Sequence, residues 1–218
     1  MEPAFTTGNT YLFDPKAWTW NLPSGFSCPG ALECLTYANR KTGKQKNTKN
    51  QRFRCYAAVT ERFPGVRKRV WANFDSVKNK SKDEVTSVLE SCFPKKAKHI
   101  RIHANGDFFS QDYFDGWLQV CRNNPDVVFW AFTKSVPFWV NSIDKIPPNL
   151  NMQASYGGKH DHLIDEYGLK YALLVFTEAE AKEKDLIIDT DDKLAAYGNK
   201  SFALLENFSN PRNKNKNK

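Results

Sequence analysis

The chain has 218 residues, of which 40% are hydrophobic and 14% are aromatic. It is therefore long enough for one domain with a core and too apolar for a disordered protein. The formal charge of +8 is concentrated in residues 40–54 and in the last residues of the chain. We expect a single α/β domain, residues 1–210, followed by a disordered basic tail, residues 211–218.

No apolar run approaches the ~20 residues of a membrane span. The first residues also lack the basic and apolar regions of a signal peptide. We therefore expect a cytoplasmic protein that does not associate with membranes. Thiols stay reduced in that compartment, so the five cysteines favour a metal site over a disulfide framework.

Short apolar strands alternate with helices along the chain. The predicted strands, in chain order, are residues 18–22, 99–103, 127–132, 150–155, 171–176, 186–188 and 202–205. The predicted helices are residues 57–63, 66–78, a helix behind the capping box Ser81–Glu84, a helix capped by Ser110, residues 137–143, residues 160–167, a helix capped by Thr177, and residues 191–197. This alternation predicts right-handed βαβ units and a mostly parallel sheet, either open or closed into a partial (incomplete) TIM-like barrel.

Three cysteines follow the first predicted strand. Cys28, Cys34 and Cys55 lie in residues 24–58, which glycines and prolines mark as mostly loop. A loop of this length in a compact domain needs something to order it. Thiolates are soft ligands suited to iron–sulfur clusters or Zn²⁺, so we interpret the three as metal ligands. Three unrelated buried thiols remain the alternative, because the spacing matches no standard zinc or ferredoxin pattern.

The two other cysteines have a different context. Cys92 and Cys121 lie on apolar faces of predicted helices. Core packing is the preferred interpretation of both, although either can supply a fourth ligand.

Polar residues follow several predicted strands, at the sheet edge where ligands bind in α/β folds. His103 and Asp107 flank Asn105-Gly106, and this position suits acid–base catalysis or amine binding. A plain turn that caps the next helix is the alternative. The other candidate ligand-binding residues at this edge are Gly106, Asp107, Lys134, Ser155, Gly157 and Gly158.

Two further segments have competing interpretations. Gly157-Gly-Lys-His-Asp-His162 is either a glycine-rich ligand loop or a capped turn. The basic segment 40–54 is either a polyanion-binding surface or a solvated flexible loop, and the loop interpretation is favoured because few aromatic residues interleave with its charges.

Several motifs together resemble a known phage family. They are Ser27-Cys-Pro-Gly-Ala31, Phe53-Arg-Cys-Tyr-Ala57, Arg101-Ile-His-Ala-Asn-Gly-Asp-Phe-Phe109, Phe132-Thr-Lys-Ser135 and Gly157-Gly-Lys-His-Asp-His162. They resemble the gene-product-88-like proteins of bacteriophages over about residues 18–205, which implies the cytoplasm of a host cell as the location. That family is similar in outline to radical S-adenosylmethionine (SAM) enzymes, which carry a partial TIM barrel and a three-cysteine [4Fe–4S] cluster after the first strand.

This resemblance implies one [4Fe–4S] cluster on Cys28, Cys34 and Cys55, and SAM as a further cofactor near Gly106-Asp107. The chain departs from the usual CxxxCxxC triplet of radical SAM enzymes, so radical chemistry does not follow from the resemblance alone. The first alternative function is an electron-transfer or redox-sensing iron–sulfur protein. The second is a zinc-stapled nucleic-acid-binding module that uses the basic segment. The sequence identifies neither a small-molecule substrate nor a redox partner.

Overall fold

The computed structural model describes residues 1–206, so the predicted basic tail 211–218 and the last residues of the predicted domain lie outside the described residues. The strands of the described part are β1 (Trp18–Trp20), β2 (Thr36–Ala38), β3 (Gln45–Asn47), β4 (His99–Ile102), β5 (Val128–Thr133), β6 (Leu150–Ser155), β7 (Tyr171–Val175) and β8 (Phe202–Leu205). Its α-helices are α1 (Tyr56–Thr60), α2 (Pro64–Val77), α3 (Lys82–Ser91), α4 (Gln111–Asn123), α5 (Val136–Val140), α6 (His162–Glu166), α7 (Glu178–Glu183) and α8 (Lys193–Tyr197).

Six strands form one parallel sheet in the order β1-β4-β5-β6-β7-β8. The prediction of an α/β fold with a mostly parallel sheet is thus confirmed. Spatial neighbours follow one another along the chain, because only the short hairpin β2–β3 intervenes between β1 and β4. Within the described part, β1 and β8 form the two edges of the sheet and do not pair with each other. Closure into a TIM-like barrel is therefore not established.

Apolar side chains cover both faces of the sheet. Successive residues of a strand point to opposite faces, and in β5 Phe129 and Trp130 accordingly enter two different hydrophobic clusters. The larger cluster joins the sheet to α4 through Phe114 and Trp117, and the smaller one joins it to α8. A strand buried on both faces needs an almost continuous apolar sequence, which is what β5 has.

Helix caps were predictable from local sequence. Ser81 and Glu84 form the predicted capping box at the start of α3, and Ser110 caps α4 by accepting from the backbone N–H of Tyr113. Thr177 caps α7 in the same way.

Two predicted elements differ from the structure. The predicted helices 57–63 and 66–78 leave out Pro64, yet Pro64 is the first residue of α2, where proline's missing N–H costs nothing. The predicted strand at 186–188 is reduced to one isolated bridge between Ile188 and Ala203. A third difference is the β2–β3 hairpin, which orders part of a segment predicted as loop.

Among the described residues, no helix is both long enough and apolar enough to span a membrane.

Candidate functional site

The cysteine segment packs onto the edge of the sheet where the parallel strands end. Gly30 lies against the end of β5, and a Cβ added there would overlap the carbonyl oxygen of Lys134. The Gly30 carbonyl accepts a 2.9 Å hydrogen bond from the backbone N–H of Lys159. Ala31 forms an antiparallel bridge with Gly158 just after β6. The segment is therefore fixed to the loops that follow two neighbouring strands.

The three thiols of this segment are brought together. Burial raises the pKa of Cys28 well above its usual value, and the charges of Asp107, Cys55 and Cys34 raise it further. Burial raises the pKa of Cys55 to about 12, with Cys34 as the next cause. Burial also raises the pKa of Cys34, while the charge of Lys134 lowers it. Each of the three residues is half-buried, and none of them forms a disulfide. The three predicted ligands thus share one electrostatic environment.

Backbone amides face two of the sulfurs. The amides of Ala57 and Ala58, in the first turn of α1, hydrogen bond to Cys55 and lower its pKa. The amide of Gly25 does the same for Cys28. Such N–H groups stabilise a thiolate, the form in which cysteine binds a metal.

A single hydroxyl connects the second and third cysteines. The buried Thr36 donates a 3.1 Å hydrogen bond to the carbonyl oxygen of Cys34. The Thr36 hydroxyl oxygen also accepts a 3.3 Å hydrogen bond from the backbone N–H of Cys55. Thr36 also accepts from the side-chain amide of Gln51 at 2.5 Å. Twenty residues lie between Cys34 and Cys55 in the sequence, and the Thr36 hydroxyl joins these two cysteines at the base of the β2–β3 hairpin.

The candidate ligands in the described part of the chain are not close enough together to bind a single metal ion. Within residues 1–206, no three His, Cys, Asp or Glu side chains are gathered as a group that could hold one metal ion. Sulfurs bound to one tetrahedral zinc at ~2.3 Å lie within about 4 Å of one another. The charges of Cys34 and Cys55 raise the pKa of a neighbouring thiol, but the three sulfurs do not form a group that could hold one metal ion.

Asp107 holds the edge of the sheet together. Its carboxylate accepts hydrogen bonds from the backbone N–H of Phe108 at 2.7 Å, from the Thr133 hydroxyl at 2.7 Å and from the backbone N–H of Lys134 at 2.8 Å. Burial raises its pKa to about 6, against the lowering effect of these donors. Neighbouring Gly106 has a φ of +85°, and a Cβ there would lie 2.6 Å from atoms of Leu22 and Ser27. Asp107 therefore hydrogen bonds to groups of the same chain, and Gly106 packs too closely against its neighbours to carry a side chain.

His103 points into the core. It has a φ of +65°, and its Nε2 lies 2.8 Å from the Tyr113 hydroxyl. Its ring packs among Phe108, Tyr113 and Trp117. Burial lowers the pKa of His103 to about 3, so the imidazole is neutral at ordinary pH. This placement favours a structural role, and the predicted catalytic role of His103 and Asp107 stays a prediction.

The remaining predicted ligand-binding residues also have partners within the chain. The Lys134 ammonium donates to the hydroxyl of Ser155 at 2.6 Å and to the carbonyl of Tyr156 at 2.5 Å. The Asp161 carboxylate accepts from the backbone N–H groups of both Gly157 and Gly158, each at 2.9 Å. The capped turn is thus the interpretation that the geometry of this loop favours.

The two other cysteines lie away from the site. Cys121 is fully buried in the larger hydrophobic cluster, and Cys92 packs at its margin with its sulfur near the Val88 carbonyl. The structure agrees with their interpretation as packing residues.

The match to known proteins covers almost the whole chain. The family model described as Gene product 88 matches residues 3–216. The chain belongs to the Gene product 88 family. The Gene 88 proteins of Mycobacterium phages L5 and D29 are 34% and 33% identical to it over 128 residues, which is 52% of this chain. The aligned part is 46% and 45% of those two proteins, so the chain spans about half the length of the curated relatives that it matches.

No solved structure matches this Gene product 88 chain significantly. The phage family predicted from its motifs is confirmed, and none of the matches above is described as a radical SAM enzyme. That further resemblance stays a prediction.

Several residues that shape this site were not predicted from the sequence. Thr36 carried no local signal, because its contacts depend on a hairpin that brings distant residues together. Asp161 was predictable in principle, since an aspartate shortly after a glycine pair often caps a turn. Glu61, whose carboxylate accepts a 2.7 Å hydrogen bond from the backbone N–H of Ser24, had no sequence signal.

Proposed function

We propose that this Gene product 88 protein binds one [4Fe–4S] cluster through Cys28, Cys34 and Cys55. The observation that carries the proposal is the convergence of the three thiols: beyond the effect of burial, the charges of Cys55 and Cys34 raise the pKa of Cys28, and the charge of Cys34 raises the pKa of Cys55. No other cysteine of the chain comes into this group, because Cys92 and Cys121 lie in or beside the hydrophobic core.

The chemistry of the donor set fits such a group. Thiols that are buried beside one another and beside Asp107 hold their protons strongly when no cation is present. A metal centre reverses that preference, because it pairs with the thiolate charge. The amides at Ala57, Ala58 and Gly25 already point hydrogen bonds at two of the sulfurs. Hydrogen bonds of this kind also set the potential of an iron–sulfur centre.

A cluster needs its ligands less close together than one zinc ion does. No group within residues 1–206 is close enough to hold a single ion, whereas a cluster distributes its ligands over several irons. Three thiolates leave one iron for a fourth ligand from outside the cysteine set.

The reaction best supported is electron transfer or redox sensing. When bound, a [4Fe–4S] group supplies one-electron chemistry. Around it, Asp107 joins two strand ends, Lys134 joins β5 to β6, and Asp161 caps the loop that carries the glycines. These residues position the cysteine segment, and each is already paired with a group of the same chain. The radical SAM alternative needs some of them to bind a second cofactor instead.

Anaerobic purification followed by iron and sulfide analysis tests the proposal. We expect about four irons and four sulfides per chain, and loss of iron in Cys28→Ser, Cys34→Ser and Cys55→Ser. Cys92→Ser and Cys121→Ser are the matched controls and should keep the iron. A colourless protein with stoichiometric zinc, or iron loss in the Cys92→Ser control, would contradict it.

Addition of SAM to the reduced protein separates the two kinds of chemistry. We expect an unchanged EPR signal of the reduced cluster and no 5′-deoxyadenosine. Formation of 5′-deoxyadenosine would establish the radical SAM alternative, and with it the predicted role of the Gly106-Asp107 segment.

Two finer points accompany this proposal. We propose that the six-stranded sheet curves as a partial TIM-like barrel, since its strands are parallel and follow chain order. An experimental structure of the full-length protein tests this point. We also propose that the protein acts in the cytoplasm of the phage host, which fractionation of infected cells tests.

A further inference from the structure

We propose that the β2–β3 hairpin and the start of α2 form a binding surface for single-stranded nucleic acid. This basic platform comprises residues 39–54 together with residues 62–68. The inference is independent of the cluster, because it depends on charges and aromatic rings outside the three thiols.

The charge of the platform is almost entirely of one sign. Its exposed cations are Arg40, Lys41, Lys44, Lys46, Lys49, Arg52, Arg62 and Lys68. Between residues 35 and 74 the only acidic residue is Glu61, which is fully buried. Asp75 pairs with Arg40, and Glu33 pairs with Arg52 at 3.8 Å. Within residues 1–206, the other six form no ion pair with a carboxylate. Positive charge that is left uncompensated in this way attracts a polyanion.

A buried guanidinium holds the two basic segments together. Arg67 donates to the carbonyl oxygens of Arg40 at 3.1 Å and of Lys41 at 3.2 Å, in the hairpin turn. It also donates to the carbonyl oxygens of Glu61 at 2.7 Å and of Arg62 at 3.2 Å, before α2. These four hydrogen bonds of Arg67 therefore hold the cations of the turn beside those of α2, although the charges repel one another.

The hairpin turn lies in close contact with the Arg67 guanidinium. Gly43 has a φ of +73°, and a Cβ there would lie 2.5 Å from Arg67 Nη1. The Asn39 side chain accepts from the backbone N–H groups of Lys41 and Thr42, each at 2.9 Å. Residues 39–47 are consequently held in a hydrogen-bonded hairpin, where the sequence favoured a solvated flexible loop over residues 40–54.

Exposed aromatic rings border the cations. Phe63 is 51% exposed and lies under the Arg62 guanidinium, 4.7 Å from its ring centroid. Phe26 is 46% exposed and packs edge-on against Tyr37 of β2. Bases of a single strand stack on such rings, while the lysines neutralise phosphates. An anionic membrane is a poorer fit, because Val66 is the single exposed aliphatic side chain of the platform.

Fluorescence anisotropy with a labelled single-stranded oligonucleotide, measured over a salt series, tests the inference. The four lysines of residues 39–54 are changed together: Lys41→Gln, Lys44→Gln, Lys46→Gln and Lys49→Gln. We expect weaker binding and a salt dependence whose slope falls by about 3, since each phosphate contact contributes ~0.7 for a single strand. The matched control makes the same change at exposed lysines elsewhere, Lys95, Lys96, Lys182 and Lys184, and should bind like the natural chain.

Phe63→Ala tests the stacking component. We expect about 5- to 150-fold weaker binding of an ordinary strand, the equivalent of losing one base stack. Binding of an abasic strand should not change, and Tyr167→Ala, which removes an exposed ring on another part of the surface, should have no effect. Thermal melting of every variant verifies that it is folded.

Four results would overturn the inference: no binding of any oligonucleotide by the natural chain at low salt, equal losses in the two lysine variants, duplex DNA bound as tightly as the single strand, or phosphatidylserine vesicles bound in preference to the oligonucleotide.

Discussion

The carboxylate of Asp107 accepts a 2.8 Å hydrogen bond from the backbone N–H of Lys134. The contact joins the loop after β4 to the end of β5, on the part of the sheet where the cysteine segment lies. Asp107, which the sequence predicts to bind a ligand, therefore connects two strand ends.

Asp107→Asn tests this connection. An amide in place of the carboxylate presents an N–H₂ group to one of the donors that Asp107 now accepts from, and a buried donor left unsatisfied costs about 1–3 kcal/mol. We expect the free energy of unfolding, measured by urea titration, to fall by that amount. Asp126→Asn, at an exposed position, is the control and should change stability little. Equal stability of the two variants would contradict the connector role.

Thr36→Val tests the hydroxyl that joins Cys34 to Cys55. Valine has nearly the same shape but cannot hydrogen bond, so we expect a loss of about 1–3 kcal/mol of stability and a lower iron content per chain. Thr36→Ser retains the hydroxyl and should recover most of both quantities. Thr190→Val, at an exposed position, serves as the control. Full iron content in Thr36→Val would show that the hydroxyl does not set the separation of the cysteines.

Gly30→Ala tests the close approach of the cysteine segment to β5. The added methyl group would overlap the Lys134 carbonyl, and overpacking of this kind costs about 1–3 kcal/mol. We expect a lower melting temperature and weaker retention of iron. Gly65→Ala is the matched control, because a Cβ there meets no atom within 4 Å and alanine is the better helix former. A melting temperature equal to that of the control would contradict the packing.

The buried Glu61 predicts a specific pH dependence. Burial raises its pKa to about 7 from 4.5, so between these values the folded state binds more protons than the unfolded state. Its contribution to stability is present below about pH 4.5 and is lost as the pH rises through about 7. The loss is ~3 kcal/mol, from the size of the shift. We expect the difference in stability between the natural chain and Glu61→Gln to follow this curve in urea titrations at several pH values. A difference that does not vary with pH would show that Glu61 titrates normally.

Sequence patterns predicted the sheet well because its strands are short, strongly apolar and separated by capped helices. The strand at Val128–Thr133 and the caps at Ser81, Ser110 and Thr177 depend on neighbours within a few residues. The convergence of the cysteine segment on the edge of the sheet also followed from strand order. Local signals sufficed for the strand and the caps.

Contacts between distant residues account for what the sequence did not predict. The basic hairpin is ordered by Arg67, whose four acceptors belong to two separate segments. His103 was expected to face a ligand, but its left-handed backbone directs the ring to Tyr113 in the core. Neither the contacts of Arg67 nor the direction of the His103 ring can be predicted from the periodicity or composition of the sequence.

The position of β1 has a consequence for the order of folding. Trp18 pairs with Ile100, so the whole cysteine segment and three helices, α1 to α3, lie between these adjacent strands. Loops of this length close late, because the entropy of closure must be lost before the pairing is gained. We therefore expect β1 to join last, onto a sheet already assembled from β4 to β8. Assembly of the thiols and completion of the sheet would then be a single kinetic event, and binding of the proposed cluster would accelerate the docking of the first strand.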